Sequence, residues 1–544
     1  VLTHFSAVTL FKVNKMPIVQ IDNVGSVGLI SDQPSRELPP EAWSDCLNVR
    51  FSNQNAEKFY GHIESFDTPS IVPQYLLSAK FDGTTYWYYA NGTAIYRSDG
   101  TTESDVTRTA GAYNGGTYSQ WNGGILGGVP IMNNTSGADY PQQWDAGASK
   151  MKDLDNWPAD TYTKVIRPFK QALVALNITK SGTNYPYTVK VSHPADPGTV
   201  PTSWDETDAT KLTIERPLSE GSDVIVDGLG LGDSFIIYKE RSTWIMQFVG
   251  GKYVYKTRRL FDSFGMLTQN CAVNTPKGQF VVARGDVILH NGTTYKSIID
   301  EQTRDLLFNS IDDNYSSYIF VVINQQFNEV WICYAEQGRD APYANKAMIW
   351  NWISGVWSQR DLPEIAFAAS GLIPASYADK TFDGSVGTTF DADTGFFNQV
   401  DYPASKDRIL MCGAADTKFY LADKTNQFAG SNFTSYLERT GLGVVGRDRF
   451  GNWKVDLQSV KLVRNIYPKI TADSGTILKI YVGIQLKQND AIDWQGPFEF
   501  NPATDTKIDC IVATKLLCLR FETSSNAWWK MHGYGVDLDI IGRY

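Results

Sequence analysis

Aromatic-rich runs broken by glycine-bearing turn pairs recur along this chain and constrain its fold more than any other feature. Residues 86–97, YWYYANGTAIYR, set two such runs around Asn91-Gly92. Residues 287–296, VILHNGTTYK, repeat the arrangement around Asn291-Gly292. Asn-Gly between alternating apolar runs signals a type I′ hairpin, because both central residues of that turn need positive φ. Residues 348–362 (MIWNWISGVWSQRDL) place Ser354-Gly355 between two tryptophan-bearing strands, and residues 234–249 alternate as two strands joined near Glu240. Residues 117–133, and 164–179 around 167–171, read as further strand pairs. The hairpin centres fall near residues 91, 125, 170, 240, 291 and 333–355. Their spacing, mostly about 35–70 residues, brackets the roughly 40–50 residues of a four-stranded propeller blade.

The expected fold class is therefore all-β: a β-propeller-like main domain with an additional C-terminal β-rich region. Two β-sandwiches are the competing architecture. The boundaries expected are an upstream extension at 1–15, an N-terminal segment at 16–60 and the propeller-like domain at 61–370. A loop-rich insertion or connection follows at 371–430, and the C-terminal β region at 431–544. In that last region 478–486, 511–521 and 533–541 each read as a strand. One helix is predicted, over 300–312 (DEQTRDLLFNSID), capped by Asp300 and burying Leu306, Leu307 and Ile311. Residues 1–15, VLTHFSAVTLFKVNK, carry their lysines after the apolar stretch. That is the reverse of a secretory signal, and Met16 is a plausible alternative start.

Composition removes several classes. A hydrophobic share of 42% against 20% charged is that of a globular chain. No apolar run reaches the length of a membrane-crossing helix, so membrane insertion is not expected. The charge is −10, from 49 basic and 59 acidic residues, opposite in sign to a surface that holds DNA. The six cysteines, Cys46, Cys271, Cys333, Cys412, Cys510 and Cys518, form no CxxC pair and read as reduced core residues.

The search for catalytic chemistry returns little. Five histidines show no metal-binding spacing, and His290, beside a hairpin turn, reads as a surface residue. Gly441, Gly443 and Gly446 form a GxGxxG, but a poor helix former, RDRFGNWK, follows it. Asp391, Asp393 and Gly395 look like the start of a calcium loop, yet Tyr402 stands where the closing glutamate belongs. A sialidase-like propeller needs convergent carboxylates, for which Asp82, Asp99 and Asp286 are the candidates. The expectation is no enzyme: no catalytic residue, no cofactor and no metal site.

Several segments together resemble a known family. They are ELPPEAWSDCLNVRF (37–51), TRDLLFNSID (303–312), NEVWICYA (328–335), KAMIWNWISGVWSQRDLP (346–363), YLERTGL (436–442) and the ending HGYGVDLDIIGRY. Their common order resembles the tail nozzle, also called the stabilisation or tail-hub protein, of short-tailed bacteriophages. The resemblance implies a propeller-based virion subunit, made in the bacterial host cytoplasm and forming a homo-hexameric ring below the portal and adaptor. It implies a part that extends and closes the DNA ejection channel, carries tail fibres or spikes, and lets phage DNA pass without specific binding. A receptor-binding fibre or spike and the sialidase-like propeller are the alternatives. Pro39, Pro40 and Trp43 read either as an anchor for a neighbouring subunit or as the lead into the first strand.

Overall fold

The computed structural model describes residues 18–30, 34–221, 223–373, 407–487 and 490–543. The extension at 1–15 and the calcium-loop candidates Asp391, Asp393 and Gly395 lie outside them. The chain is all-β and divides into two compact units. One is a continuous stretch, Phe59–Phe433; the other joins residues 18–58 to residues 434–543.

The continuous unit is a β-propeller with seven blades among the described residues. Five are four-stranded antiparallel meanders in chain order: blade 1 (75–105), blade 2 (121–153), blade 3 (161–217), blade 4 (225–261) and blade 5 (272–297). A seven-stranded sheet supplies the other two, because the long strand Trp357–Gly371 serves both. Its first part pairs with Ala344–Asn351 to finish blade 6, and its second part pairs with Arg408–Gly413 to open blade 7. Pro363 and Glu364, the latter at φ 54, kink the strand where it changes partner. The first strand of each blade packs on the first strand of the next, and blade 7 returns to blade 1. That circuit leaves only outermost strands as edges, and two of these, Glu103–Asp105 and Tyr295–Ser297, have just 3 residues each.

Closure uses residues from the other end of the unit. His62–Glu64 forms the outermost strand of blade 7, pairing with Tyr420–Ala422. The ring of His62 packs between Tyr420 and Phe428, at 4.9 and 4.7 Å. Beneath it Arg360 meets Asp423 at 2.7 Å with both side chains buried, and Asn324 donates to the same carboxylate at 2.7 Å. The expected boundary at 371–430 is thus corrected, since Arg408–Gly413 and Lys418–Ala422 in that span are blade 7 strands. Its Gly, Asp and Thr content outweighed a short apolar hairpin whose outer partner, His62–Glu64, is remote in sequence.

The second unit pairs two sheets. Ile508–Thr514, Ser459–Ala472, Trp529–Arg543, Asn55–Lys58 and Val49–Ser52 form one, with Val19–Asp22 also on Trp529–Arg543. Asp493–Phe500, Leu478–Gln485, Leu516–Thr523, Ser435–Leu442 and Asp45–Leu47 form the other. The N-terminal segment and the C-terminal β region are therefore one structural unit. Residues 511–521, read as one strand, are parts of two strands in different sheets, and the chain crosses between them at Lys515. Trp43 is 1% exposed and packs on Phe521 and Tyr534, one from each sheet, so it anchors its own unit.

Local expectations fare unevenly. The helix forms over Glu301–Ser310, with the Asp300 carboxylate accepting from Thr303 N. Both Asn-Gly hairpins form, but neither is a type I′ turn. Asn91 Oδ1 accepts from Thr93 N and Ala94 N at 2.9 and 2.8 Å, and Asn291 makes the same pair of bonds, so each loop is a four-residue Asx turn. The two glycines serve different ends. A Cβ on Gly92 would lie 2.4 Å from the Gly116 carbonyl oxygen, whereas Gly292 sits at φ 82. Gly92→Val and Gly292→Val are each expected to cost about 1–3 kcal/mol in urea denaturation, the first by overpacking and the second by backbone strain. Gly441, Gly443 and Gly446 lie in and between two strands, with no helix following.

His290 is buried, not on the surface. Gly292 N donates to its Nδ1, so Nε2 carries the proton and donates to Tyr238 Oη at 2.6 Å; Tyr238 in turn donates to Gln279 Oε1 at 2.5 Å. Burial lowers the pKa of His290 to about 4. Burial first, then Arg360, lowers that of His62 to about 3 against the opposing pull of Asp423. Both values lie below the unfolded value of 6.5, so the unfolded chain binds the extra protons. Stability present above pH 6.5 is lost as pH falls towards the folded values. Between about pH 7 and pH 5 each histidine is expected to remove about 2 kcal/mol. Denaturation at both pH values checks this, and His290→Gln is expected to remove about half of the pH dependence.

Candidate functional site

In each meander the first-to-second and third-to-fourth turns share one end of the propeller. The second-to-third turns and the links between blades lie at the other end. The first strands start at this second end, and what they bring to the axis closes it. Arg167 of blade 3 grips Asp227 of blade 4 through Nε and Nη2 at 2.8 and 2.6 Å, and also donates to Asn270 Oδ1 at 2.7 Å. Asp227 accepts further from Gly228 N and Asn270 N. The two charged side chains are 13% and 4% exposed, and every bond the carboxylate makes is charge-assisted.

Above this ion pair, amides bond straight across the axis. Gln120 of blade 2 donates to Ser317 O at 2.7 Å and accepts from Gln269 Nε2 at 2.9 Å. Tyr75, Phe320 and Phe367 fill the remaining space, with the Phe367 ring centroid 4.9 Å from each of the other two. Among the described residues the propeller axis is a packed plug.

Over the plug lies a small cavity of about 40 Å³ that opens beside a wider depression of about 440 Å³; Gln74 and Tyr343 line both. Three tyrosines rim it. Tyr118 faces Tyr318 and Tyr343 edge-on, with centroids 6.4 and 5.8 Å away and interplanar angles of 81° and 85°. Burial raises the pKa of Tyr318 and Tyr343, and the nearby Tyr118 hydroxyl adds to the effect, so both phenols stay protonated at neutral pH. Gln74 holds the rim from below, donating to Thr117 O at 2.6 Å and accepting from Ser119 N at 3.0 Å. No residue lining either hollow is Asp, Glu, Lys, Arg or His among the described residues, in a chain whose composition is 20% charged.

The carboxylates considered for glycoside chemistry do not meet. Asp82 and Asp99 occupy turns of blade 1 at the first end, and Asp286 opens the third strand of blade 5 at the other. Asp99 is engaged by Thr101 and Thr102, and Asp286 by Val287 N, Ser297 Oγ and Arg304 Nη2. Among the described residues no group of three His, Cys, Asp or Glu side chains comes together as a metal-ligand set. All six cysteines are buried. The tyrosine rim escaped the sequence reading because Tyr118 and Tyr343 lie in separate loops and Tyr318 ends a short 3-10 helix, with no shared spacing. Their common signal is position, since each closely precedes a strand.

No family model matches the chain, and no curated protein matches it. Among solved structures it is similar to the computationally designed Ika8 protein, with TM-score 0.35 and 10% identity over 66% of this chain and 99% of that one. PorZ, a surface component of the type-IX secretion system of Porphyromonas gingivalis, gives 0.34 and 9%, over 71% of this chain and 43% of its own. The extracellular domain of the putative one component system BT4673 from B. thetaiotaomicron gives 0.38 and 8%, over 85% and 58%.

Proposed function

We propose that the chain is a non-catalytic structural subunit of a virion, the tail nozzle of a short-tailed phage. It extends and closes the DNA ejection channel and carries neighbouring tail proteins. The observation that supports this reading is how the family-resembling segments cluster. Residues 303–312, 328–335 and 346–363 are one piece of structure: the helix Glu301–Ser310 and the strands of blade 6 that follow it. Residues 37–51 and 436–442 also meet, although the whole propeller unit separates them in sequence. Asp45–Leu47 pairs with Tyr436–Glu438, Tyr436 Oη donates to Asp45 at 2.8 Å, and Arg439 donates to Leu38 O at 3.0 Å.

The working form on this reading is a ring of six, with the channel running between subunits. The charge of −10 per chain suits a conduit through which DNA slides, because each cationic contact with phosphate releases counterions and holds the duplex. Only charges within about 8 Å of the lumen act on the DNA at physiological salt. Sixfold averaging of virion tails by electron microscopy tests the ring, and charge mapping on the result tests the lining. A different symmetry, or a continuous Lys/Arg band facing the lumen, would overturn the proposal.

A further inference from the structure

We infer that the tyrosine-rimmed hollow over the propeller axis is a binding site for a neutral saccharide. Three observations meet there. The lining carries no charged side chain among the described residues, which disfavours phosphorylated or carboxylated ligands, since these need an arginine or lysine partner. The hydroxyls of Tyr118, Tyr318 and Tyr343 make no hydrogen bond among the described residues, although the three rings meet edge to face. They are donors and acceptors gathered at one place and left without use by the fold. Finally, the groups beneath the rim are held in place. Gln74 is fixed by two bonds, Gln120 and Gln269 by bonds to each other, and the floor is the packed plug.

The shape assigns the parts of the ligand. The wider depression, bordered by Gly92, Gly115 and Gly116, gives a flat, open bed for a hexose ring beside Tyr343. Gly92 and Gly115 pack backbone against backbone, and Gly116 leaves open space where a side chain would stand. The smaller cavity of about 40 Å³ admits only a water-sized group, such as one exocyclic hydroxyl. A sugar suits these surroundings because its C–H face packs on an aromatic ring while its hydroxyls reach phenols and amides. The carboxylates proposed for hydrolysis do not converge, so the inference is of binding and not turnover. It does not rest on the nozzle reading, because the hollow lies wholly within the propeller unit.

The test uses the full chain and ligand-observed NMR. The probes are glucose, galactose, mannose and N-acetylglucosamine with their disaccharides, glucuronate and glucose phosphate as charged controls, and decaproline as an uncharged peptide. At least one neutral saccharide is expected to bind saturably at about millimolar Kd, with its charged counterpart weaker by about tenfold or more. Tyr118→Ala and Tyr343→Ala are each expected to weaken binding about tenfold, with unfolding profiles confirming the fold. Should an alanine variant fail to fold, Tyr118→Phe and Tyr343→Phe keep the rings and remove the hydroxyls. Each is then expected to weaken binding by about threefold or more. Absence of saturable binding by every neutral saccharide, equal binding of the charged controls, binding of decaproline alone, or affinity unchanged in the variants would each overturn the inference.

Discussion

Arg167→Met is expected to destabilise the propeller by about 3–5 kcal/mol, because it leaves the Asp227 carboxylate buried at the axis without its cation. Asp227 is 4% exposed, so little water reaches it to replace the lost partner. The loss extends beyond one pair. Arg167 also donates to Gly123 O and Asn270 Oδ1, and thereby ties blades 2, 3, 4 and 5 together. Removing both charges, as Arg167→Met with Asp227→Leu, is expected to recover part of the loss. Recovery stays incomplete because Gly228 N and Asn270 N then lack their acceptor. Urea denaturation with peptide-resolved amide exchange checks both outcomes, since exchange assigns the change to the propeller. A single variant costing less than about 1 kcal/mol would mean that the pair is effectively solvated.

Trp43→Ala is expected to cost the other unit about 3–5 kcal/mol, as large-to-small changes at fully buried aromatics do. Trp43 fills the space between the two sheets, touching Phe521 on one and Tyr534 on the other, and its Nε1 donates to Val24 O at 2.6 Å. Alanine removes the ring and strands a buried carbonyl. Amide protection is expected to fall in residues 18–58 and 434–543 and to hold in the propeller. Uniform loss across the chain would contradict this assignment of Trp43 to one unit's core.

Much of the propeller was legible in the sequence. Alternating aromatic strands and turn-forming pairs are short-range signals, and six hairpin centres mark six of the seven blades. The helix at 301–310 was equally plain, because its cap and buried face lie within a few residues of each other. Turn type was less so. Asn-Gly permits a type I′ turn, but an Asn side chain that caps two backbone amides also stabilises a longer loop. The position of His290 was misjudged for a related reason. A turn is exposed in isolation, yet packing puts Tyr238 against the ring.

What sequence alone determined, then, is the class, the hairpin-by-hairpin meander and the aromatic character of the strands, all set by contacts within a few tens of residues. What only the tertiary structure decided depends on partners far apart in the chain. His62–Glu64 closes blade 7 against Lys418–Ala422, and Val19–Asp22 lies on Trp529–Arg543 at the opposite terminus. Tyr118, Tyr318 and Tyr343 gather above an axis none of them marks in sequence. A strand's alternation records that one of its faces is buried but carries no label for the strand that pairs with it. Ring closure and the convergence of loops at one end of the propeller are settled by which partners bury the most apolar surface once every blade is present.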